Sequence, residues 1–148
     1  EDDLQYSFSY RVVKASDFGL PQHRPRVFIV GFRDELTKES KFEFPKPIKL
    51  NKTMSDILGG KCTRDIGLTL RVGGGRSPIN DRRNWDGYIV DGKEIRLNPI
   101  HGLEMMGFPK SFKFPVNNNQ AMKQLGNSVA VNAVQAVGKN IIKYLDSF

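Results

Sequence analysis

Near the start of the chain, Tyr6, Phe8 and Tyr10 alternate with polar positions, and Val12 and Val13 follow. A period of two over residues 5–15 predicts a strand. Val27, Phe28, Ile29 and Val30 form an unbroken apolar run rich in β-branching, which predicts a buried strand over 27–32. Between them, Gly19, Pro21 and Pro25 mark a loop. Its length allows antiparallel pairing, with Gln22, Arg24 and Arg26 displayed at the rim. From 33 to 52 the pattern is charged and proline-punctuated, with little periodicity. Thr53 begins a helix of one or two turns that Gly59 and Gly60 close. Leu68 to Val72 suggests a short strand. Tyr88–Val90 and Glu94–Leu97 flank Asp91-Gly92, a hairpin turn dipeptide.

The last third is helical. Asn98 and Pro99 supply an N-cap and a first helical position, Leu103, Met106 and Ile100 an apolar face, and Gly107-Phe108-Pro109 a stop. Asn119 is expected to cap a short helix over 120–125 that Gly126 closes. Asn127 or Ser128 is then expected to cap a final helix of about 18 residues, with Val131, Val134, Gly138, Ile141 and Leu145 as its core-facing stripe.

Composition narrows this picture. The 148 residues suit one domain or a large piece of one, and 39% apolar content is compatible with a packed core. No apolar run approaches the length of a membrane span. The start, Glu1-Asp2-Asp3, is acidic rather than secretory, and without an initiating Met the chain is expected to be a fragment or processed product. Cys62 stands alone, so no disulfide framework or cysteine metal cluster can form, which fits a reducing compartment. A formal net charge of +7 favours a polyanionic partner.

Candidate chemistry concentrates in three places. Arg24 and Arg26 bring permanently charged donor forks to the edge of a strand. From Arg64 to Arg83 there are five arginines against two acids, together with Gly73-Gly74-Gly75 and, just beyond, Trp85. Arginine with glycine, asparagine and tryptophan suits a flexible surface reading phosphates and base edges; a disordered basic loop is the plainer alternative. No Gly-Lys-Ser/Thr follows the glycines, so they make no P-loop. Gly126-Asn127-Ser128, placed at a helix start, would favour a carboxylate or other anion, with ordinary capping as the alternative.

Pro-Gln-x-Arg-x-Arg before a strand, Arg-Leu-x-Pro with Gly-Phe-Pro, and Gln-Leu-Gly-Asn-Ser-Val before a helix occur in that order. Together they resemble the C-terminal half of DNA (cytosine-5) methyltransferases over nearly the whole chain, and Thr69-Leu70 looks like the recurrent Thr-Leu of that family's target-recognition region. The resemblance implies an α/β fold: the C-terminal part of an S-adenosylmethionine-dependent methyltransferase mixed sheet, with an antiparallel edge hairpin, C-terminal helices and a small irregular, mainly-β target-recognition domain inserted. It divides the chain into catalytic-domain edge strands (1–37), recognition domain (38–95) and a segment packing back (96–148).

The implied reaction transfers a methyl group from S-adenosylmethionine to C5 of a cytosine flipped out of double-stranded DNA, in a bacterial, cytoplasmic restriction-modification setting. Arg26 would contact the cytosine and Arg24 would position the flipped nucleotide. Gln22, Thr69, Arg64, Arg71, Arg76, Arg82 and Arg83 would lie at the DNA, and Asn127 and Ser128 near the cofactor's methionine end. The family's glycine-rich cofactor loop and Pro-Cys nucleophile loop are not found here. Cys62 follows lysine rather than proline, so the chain is expected to transfer no methyl group without an N-terminal half, and to expose apolar surface or form homodimers when isolated. The customary acid of the middle block is His101 here. A specificity subunit of a split enzyme, a general basic nucleic-acid module and RNA cytosine methylation are the alternatives.

Overall fold

The computed structural model describes residues 5–36 and 41–147. Strands β1 (Tyr6–Lys14) and β2 (Pro25–Arg33) form the expected antiparallel hairpin, in register from Tyr6 opposite Arg33 to Lys14 opposite Pro25. Arg26 therefore lies within β2, opposite Val13, rather than in the loop. The connection passes through a 3-10 turn, Ala15–Phe18, and reverses at Gly19, whose φ of 82° suits glycine.

The hairpin buries only one face. Val13, Val30 and Phe32 point into a core, whereas Tyr6, Phe8, Tyr10, Val12, Val27 and Ile29 are exposed on the other side. The run 27–30 thus corrects the expectation of a buried strand, with Ile29 69% exposed. A continuous apolar run suits a strand covered on both faces, and this two-stranded sheet is covered on one.

The covering layer is α4 (Val131–Leu145), 15 residues long. It presents Ala133 and Val137, with Ala136, Ile141 and Tyr144 partly buried against the same cluster. The stripe expected through Val134 and Leu145 is turned to solvent, at 47% and 42% exposure. The helix packs on the 3-10 turn Ala15–Phe18, with small Ala133 buried in the shared core, a choice that apolar counting alone overlooks. Phe42 and Phe44, in the segment without periodicity, complete this core. Their rings lie edge-on at 5.1 Å, and Phe42 meets Tyr144 at 5.8 Å.

A second core gathers the middle of the chain. Helix α1 (Met54–Leu58) starts with a Thr53–Asp56 capping box and ends at Gly59, as its sequence predicts. Strands β3 (Gly87–Val90) and β4 (Lys93–Arg96) form the second hairpin, turning through Asp91 and Gly92 at φ 48° and 76°. The strand expected over 68–72 does not form; the ladder there is limited to one isolated bridge just before it, Gln22 to Gly67. Helix α2 (Pro99–Met106) buries Leu103, Met105 and Met106 here, while Ile100 is exposed. Helix α3 (Asn118–Asn127) adds Leu125. This core crosses the division expected near 95, because α2 and α3 pack with residues 54–97. The division expected at 37/38 lies outside the described residues.

His101 and Asn98 cap the start of α2 reciprocally. His101 Nδ1 accepts from the Asn98 N–H at 3.3 Å, while Asn98 Oδ1 accepts from the His101 N–H at 3.0 Å. Burial lowers the imidazole pKa, and Glu104 opposes that shift. With the folded value below the unfolded one, this contribution to stability is present above pH ~6.5 and is lost as pH falls through the folded value. His101→Ala is expected to cost about 0.5–1 kcal/mol at pH 8 and less at pH 5, measured by thermal unfolding at both.

Candidate functional site

The two cores meet around the loop before β2. Gln22 is fully buried and Arg24 only 2% exposed. Gln22 Nε2 donates to the Met105 carbonyl at 3.1 Å, and its Oε1 accepts from the Leu70 N–H at 3.0 Å. Arg24 Nη1 donates to the Leu70 carbonyl at 3.0 Å; Nη2 donates to the carbonyls of Gly126 at 2.8 Å and Ser128 at 2.7 Å. Burial and the neighbouring Arg26 lower the Arg24 pKa to about 10, so the guanidinium remains charged at neutral pH. Both side chains face protein where rim positions are expected. The loop turns inward because its backbone pairs with the segment around Gly67, His23 N–H to Gly67 C=O at 2.8 Å and Gly67 N–H to Pro21 C=O at 2.9 Å.

Arg26 differs from its neighbours. It is exposed, its Nη1 donates to the Pro25 carbonyl at 2.8 Å, and no carboxylate pairs with it among the described residues. It thus offers most of its donor fork outward, beside the junction that Arg24 fills.

Thr69 also sits at this junction, its hydroxyl donating to the His23 carbonyl. Of the arginines between residues 64 and 83, Arg64, Arg71, Arg76 and Arg82 are exposed, with no ion pair among the described residues. Arg83 is instead held by Asp81 through Nε at 3.0 Å and Nη2 at 2.8 Å. That pairing depresses the Asp81 pKa to about 2 and raises that of Arg83.

The glycine-rich loop is fastened, not loose. Trp85, expected at the surface, is buried, and its Nε1 donates to the Gly73 carbonyl at 2.9 Å. Asp86, also buried, accepts the Arg76 N–H at 3.0 and 3.1 Å and Arg96 Nη1 at 3.0 Å. Arg96 further donates to the Ser77 carbonyl at 2.9 Å. Trp85, Asp86 and Arg96 are the fasteners that sequence reasoning missed. An aspartate beside a tryptophan, near a surplus of arginines, is the sequence signal that could have found them. An open cleft of ≈ 500 Å³ lies between this loop and α3, with Arg71, Arg76 and Lys123 in its lining.

Asn127 and Ser128 end α3 instead of starting the last helix. The expected helix-start attraction for an anion therefore does not operate there, since a helix C-terminus carries the negative dipole end. Asn127 is exposed, whereas Ser128 donates its hydroxyl to the Leu125 carbonyl at 2.8 Å. An exposed amide can donate to a carboxylate, and the Ser128 oxygen can still accept from an ammonium. This donor set fits the two charged ends of an amino acid such as the methionine portion of S-adenosylmethionine. Gly126 makes the turn compact: a Cβ there would meet the Arg71 carbonyl carbon at 2.7 Å. Cys62 is buried in the second core. Among the described residues no group of acidic, histidine and cysteine side chains is arranged to hold a metal, and no helix is long and apolar enough to cross a membrane.

Three comparisons bear on this arrangement. The chain is 32% identical to the type II methyltransferase M.DsaV of Dactylococcopsis salina, over 98% of its own length and 50% of that protein's. It is 31% identical to type II methyltransferase M.HhaI of Haemophilus parahaemolyticus, over 95% and 54% respectively. The chain spans about half the length of these relatives. In fold it is similar to a Spodoptera frugiperda DNMT2 structure, with a TM-score of 0.66 at 16% identity over 98% of this chain and 59% of that one. The model of the C-5 cytosine-specific DNA methylases matches residues 1–72 and 71–143. With these matches spanning both cores and the junction between them, the chain belongs to the C-5 cytosine-specific DNA methylase family.

Proposed function

We propose that this chain is the target-recognising, C-terminal portion of a DNA (cytosine-5) methyltransferase of restriction-modification type. The enzyme would transfer a methyl group from S-adenosylmethionine to C5 of a cytosine flipped out of a specific duplex site. The observation that carries the reading is the convergence of residues 22–26, 69–70 and 126–128 on one buried guanidinium, with Arg26 exposed beside it.

In this reading Arg26 places its guanidinium against the flipped cytosine. Attack at C6 drives electron density into the ring, and a fixed, permanently charged fork stabilises that density as it develops. Arg64, Arg71, Arg76 and Arg82, mounted on the fastened segment of an inserted recognition domain, meet phosphates and base edges. Asn127 and Ser128 hold the methionine end of the cofactor, which supplies the methyl group. Extraction of the base costs a few kcal/mol, offset by these contacts.

The attacking thiolate comes from a catalytic half outside these residues, since Cys62 is packed in the core. The outer face of the hairpin, Tyr6, Phe8, Tyr10, Val12, Val27 and Ile29, is where that half packs. A contiguous apolar face of this kind marks an interface, and two copies of the isolated chain would cover it by pairing.

The test combines the chain with a catalytic half carrying a Pro-Cys loop and follows methyl transfer to duplex DNA. Site-specific methylation is expected from the combination only. Methylation by the chain alone overturns the reading, as does binding that shows no preference for any site.

A further inference from the structure

We infer that Arg24 is a positioning residue: its buried guanidinium clasps the recognition segment to the 126–128 turn, making target reading and cofactor engagement depend on one another. The inference rests on the function proposed above and gives Arg24 an internal task in place of the nucleotide contact that family resemblance implies.

The geometry behind it is specific. One nitrogen, Nη2, holds the carbonyls of Gly126 and Ser128 at 2.8 and 2.7 Å, which fixes the peptide leading into exposed Asn127 and the one leaving Ser128. The other, Nη1, holds the Leu70 carbonyl at 3.0 Å, between Thr69 and Arg71. Gln22 completes the hold on Leu70 by accepting its N–H at 3.0 Å, and reaches α2 through the Met105 carbonyl at 3.1 Å. No carboxylate takes part. Beside a 3.5 Å contact from Nη1 to Gln22 Oε1, the guanidinium donates to backbone oxygens that sit 46, 102 and 104 residues away in sequence, and its Nε is buried with no partner among the described residues. With 2% exposure, the side chain has no free face for a phosphate. A planar fork can serve carbonyls in different directions at once; the compact ammonium of lysine lacks that fixed geometry.

Gly126 tightens the same joint. Its Cα faces the Arg71–Val72 backbone so closely that a Cβ would lie 2.8 Å from the Arg71 carbonyl oxygen and 3.0 Å from the Val72 nitrogen. Displacing the recognition segment thus drags on the turn that carries Asn127, and the reverse holds equally. Coupling of this kind is reciprocal: DNA tightens cofactor binding by the factor by which cofactor tightens DNA binding.

The experiment uses the chain together with its catalytic half, comparing wild type with Arg24→Met and Arg24→Lys. S-adenosylhomocysteine, which cannot donate a methyl group, serves as the cofactor probe. Its affinity is measured with and without a duplex that the wild type methylates, and DNA affinity is measured across a salt series. Both variants are expected to lose about tenfold in the DNA–cofactor coupling. Both should keep the wild-type slope of log affinity against log salt, because no phosphate contact has been removed. A slope shallower by about one in Arg24→Met identifies a phosphate contact and overturns the clasp. Full coupling in Arg24→Lys shows that charge alone suffices and overturns it too, as does a wild type whose cofactor affinity ignores DNA.

If Arg24→Met fails to fold, Arg24→Lys carries the comparison. Amide hydrogen exchange supplies a readout independent of the reaction. The amides of 68–72 and 126–129 should accelerate together in the variant, and acceleration of one group alone overturns the clasp. If the wild type neither methylates nor selects any duplex, the proposed function fails, and the exchange experiment still decides the clasp.

Discussion

Arg26→Ala, in the chain combined with its catalytic half, is expected to lower the rate of methyl transfer by about 10²–10³-fold, the usual loss for one preorganised donor to developing charge. The expectation follows from where the side chain sits. Arg26 is anchored by strand pairing to Val13, so its backbone cannot drift. Its fork is exposed, and apart from the Pro25 carbonyl that Nη1 holds at 2.8 Å it is unpaired by carboxylate among the described residues, so no ion pair must be broken before it meets a base. The deficit should fall on the chemical step, because the transition state carries more charge on the ring than the bound substrate does. Single-turnover methyl transfer at saturating DNA and cofactor separates the two. An unchanged single-turnover rate removes Arg26 from the chemistry; a loss confined to DNA affinity makes it a binding contact only. Arg26→Lys keeps the charge without the fork and should fall between alanine and wild type.

Gly126→Ala is expected to destabilise the fold by about 1–3 kcal/mol, as overpacking does in a filled core, and to weaken site-specific DNA binding with it. The added methyl would sit 2.7 Å from the Arg71 carbonyl carbon, and backbone cannot rotate aside as a side chain would. Relief requires the Arg71–Val72 backbone to move off α3, which also pulls Leu70 from Arg24 and Gln22. Gly138→Ala in α4 supplies the contrast. Nothing lies within 4 Å of its added methyl, so helix propensity should leave that variant unchanged or more stable by up to about 1 kcal/mol. Thermal unfolding of both variants, with DNA affinity measured alongside, checks the pair. Equal stability of Gly126→Ala and wild type would show that the close approach carries no strain.

Local signals in the chain were enough for several elements. Asn98-Pro99 and Gly107 bounded α2, Thr53 and Gly59 bounded α1, and Asp91-Gly92 placed the β3–β4 turn, because caps and left-handed turns are chosen by residues within a few positions. Period-two alternation found β1. The start of α3 escaped because Asn117, Asn118 and Asn119 are all competent caps, and the winner, Asn117, was settled by its contact with the Gln120 N–H.

Only the tertiary structure decided which polar side chains turn inward. Gln22, Arg24 and Arg26 share one loop-to-strand stretch and one polarity pattern, yet the first two are buried and the third is exposed. The difference comes from carbonyls and amides supplied by Leu70, Met105, Gly126 and Ser128, partners too distant in sequence for any local pattern to announce. Likewise Trp85 and Asp86 went inside because the glycine loop brings unsatisfied backbone groups to them. The exposed flank of α4 and the open face of the hairpin follow from what packs against them, a property of neighbours that composition cannot state. The sequence determined the family, the local elements and Arg26 as a residue to test; long-range backbone partners decided that Arg24 is buried while Arg26 stays exposed, since a buried charge persists only where such partners converge.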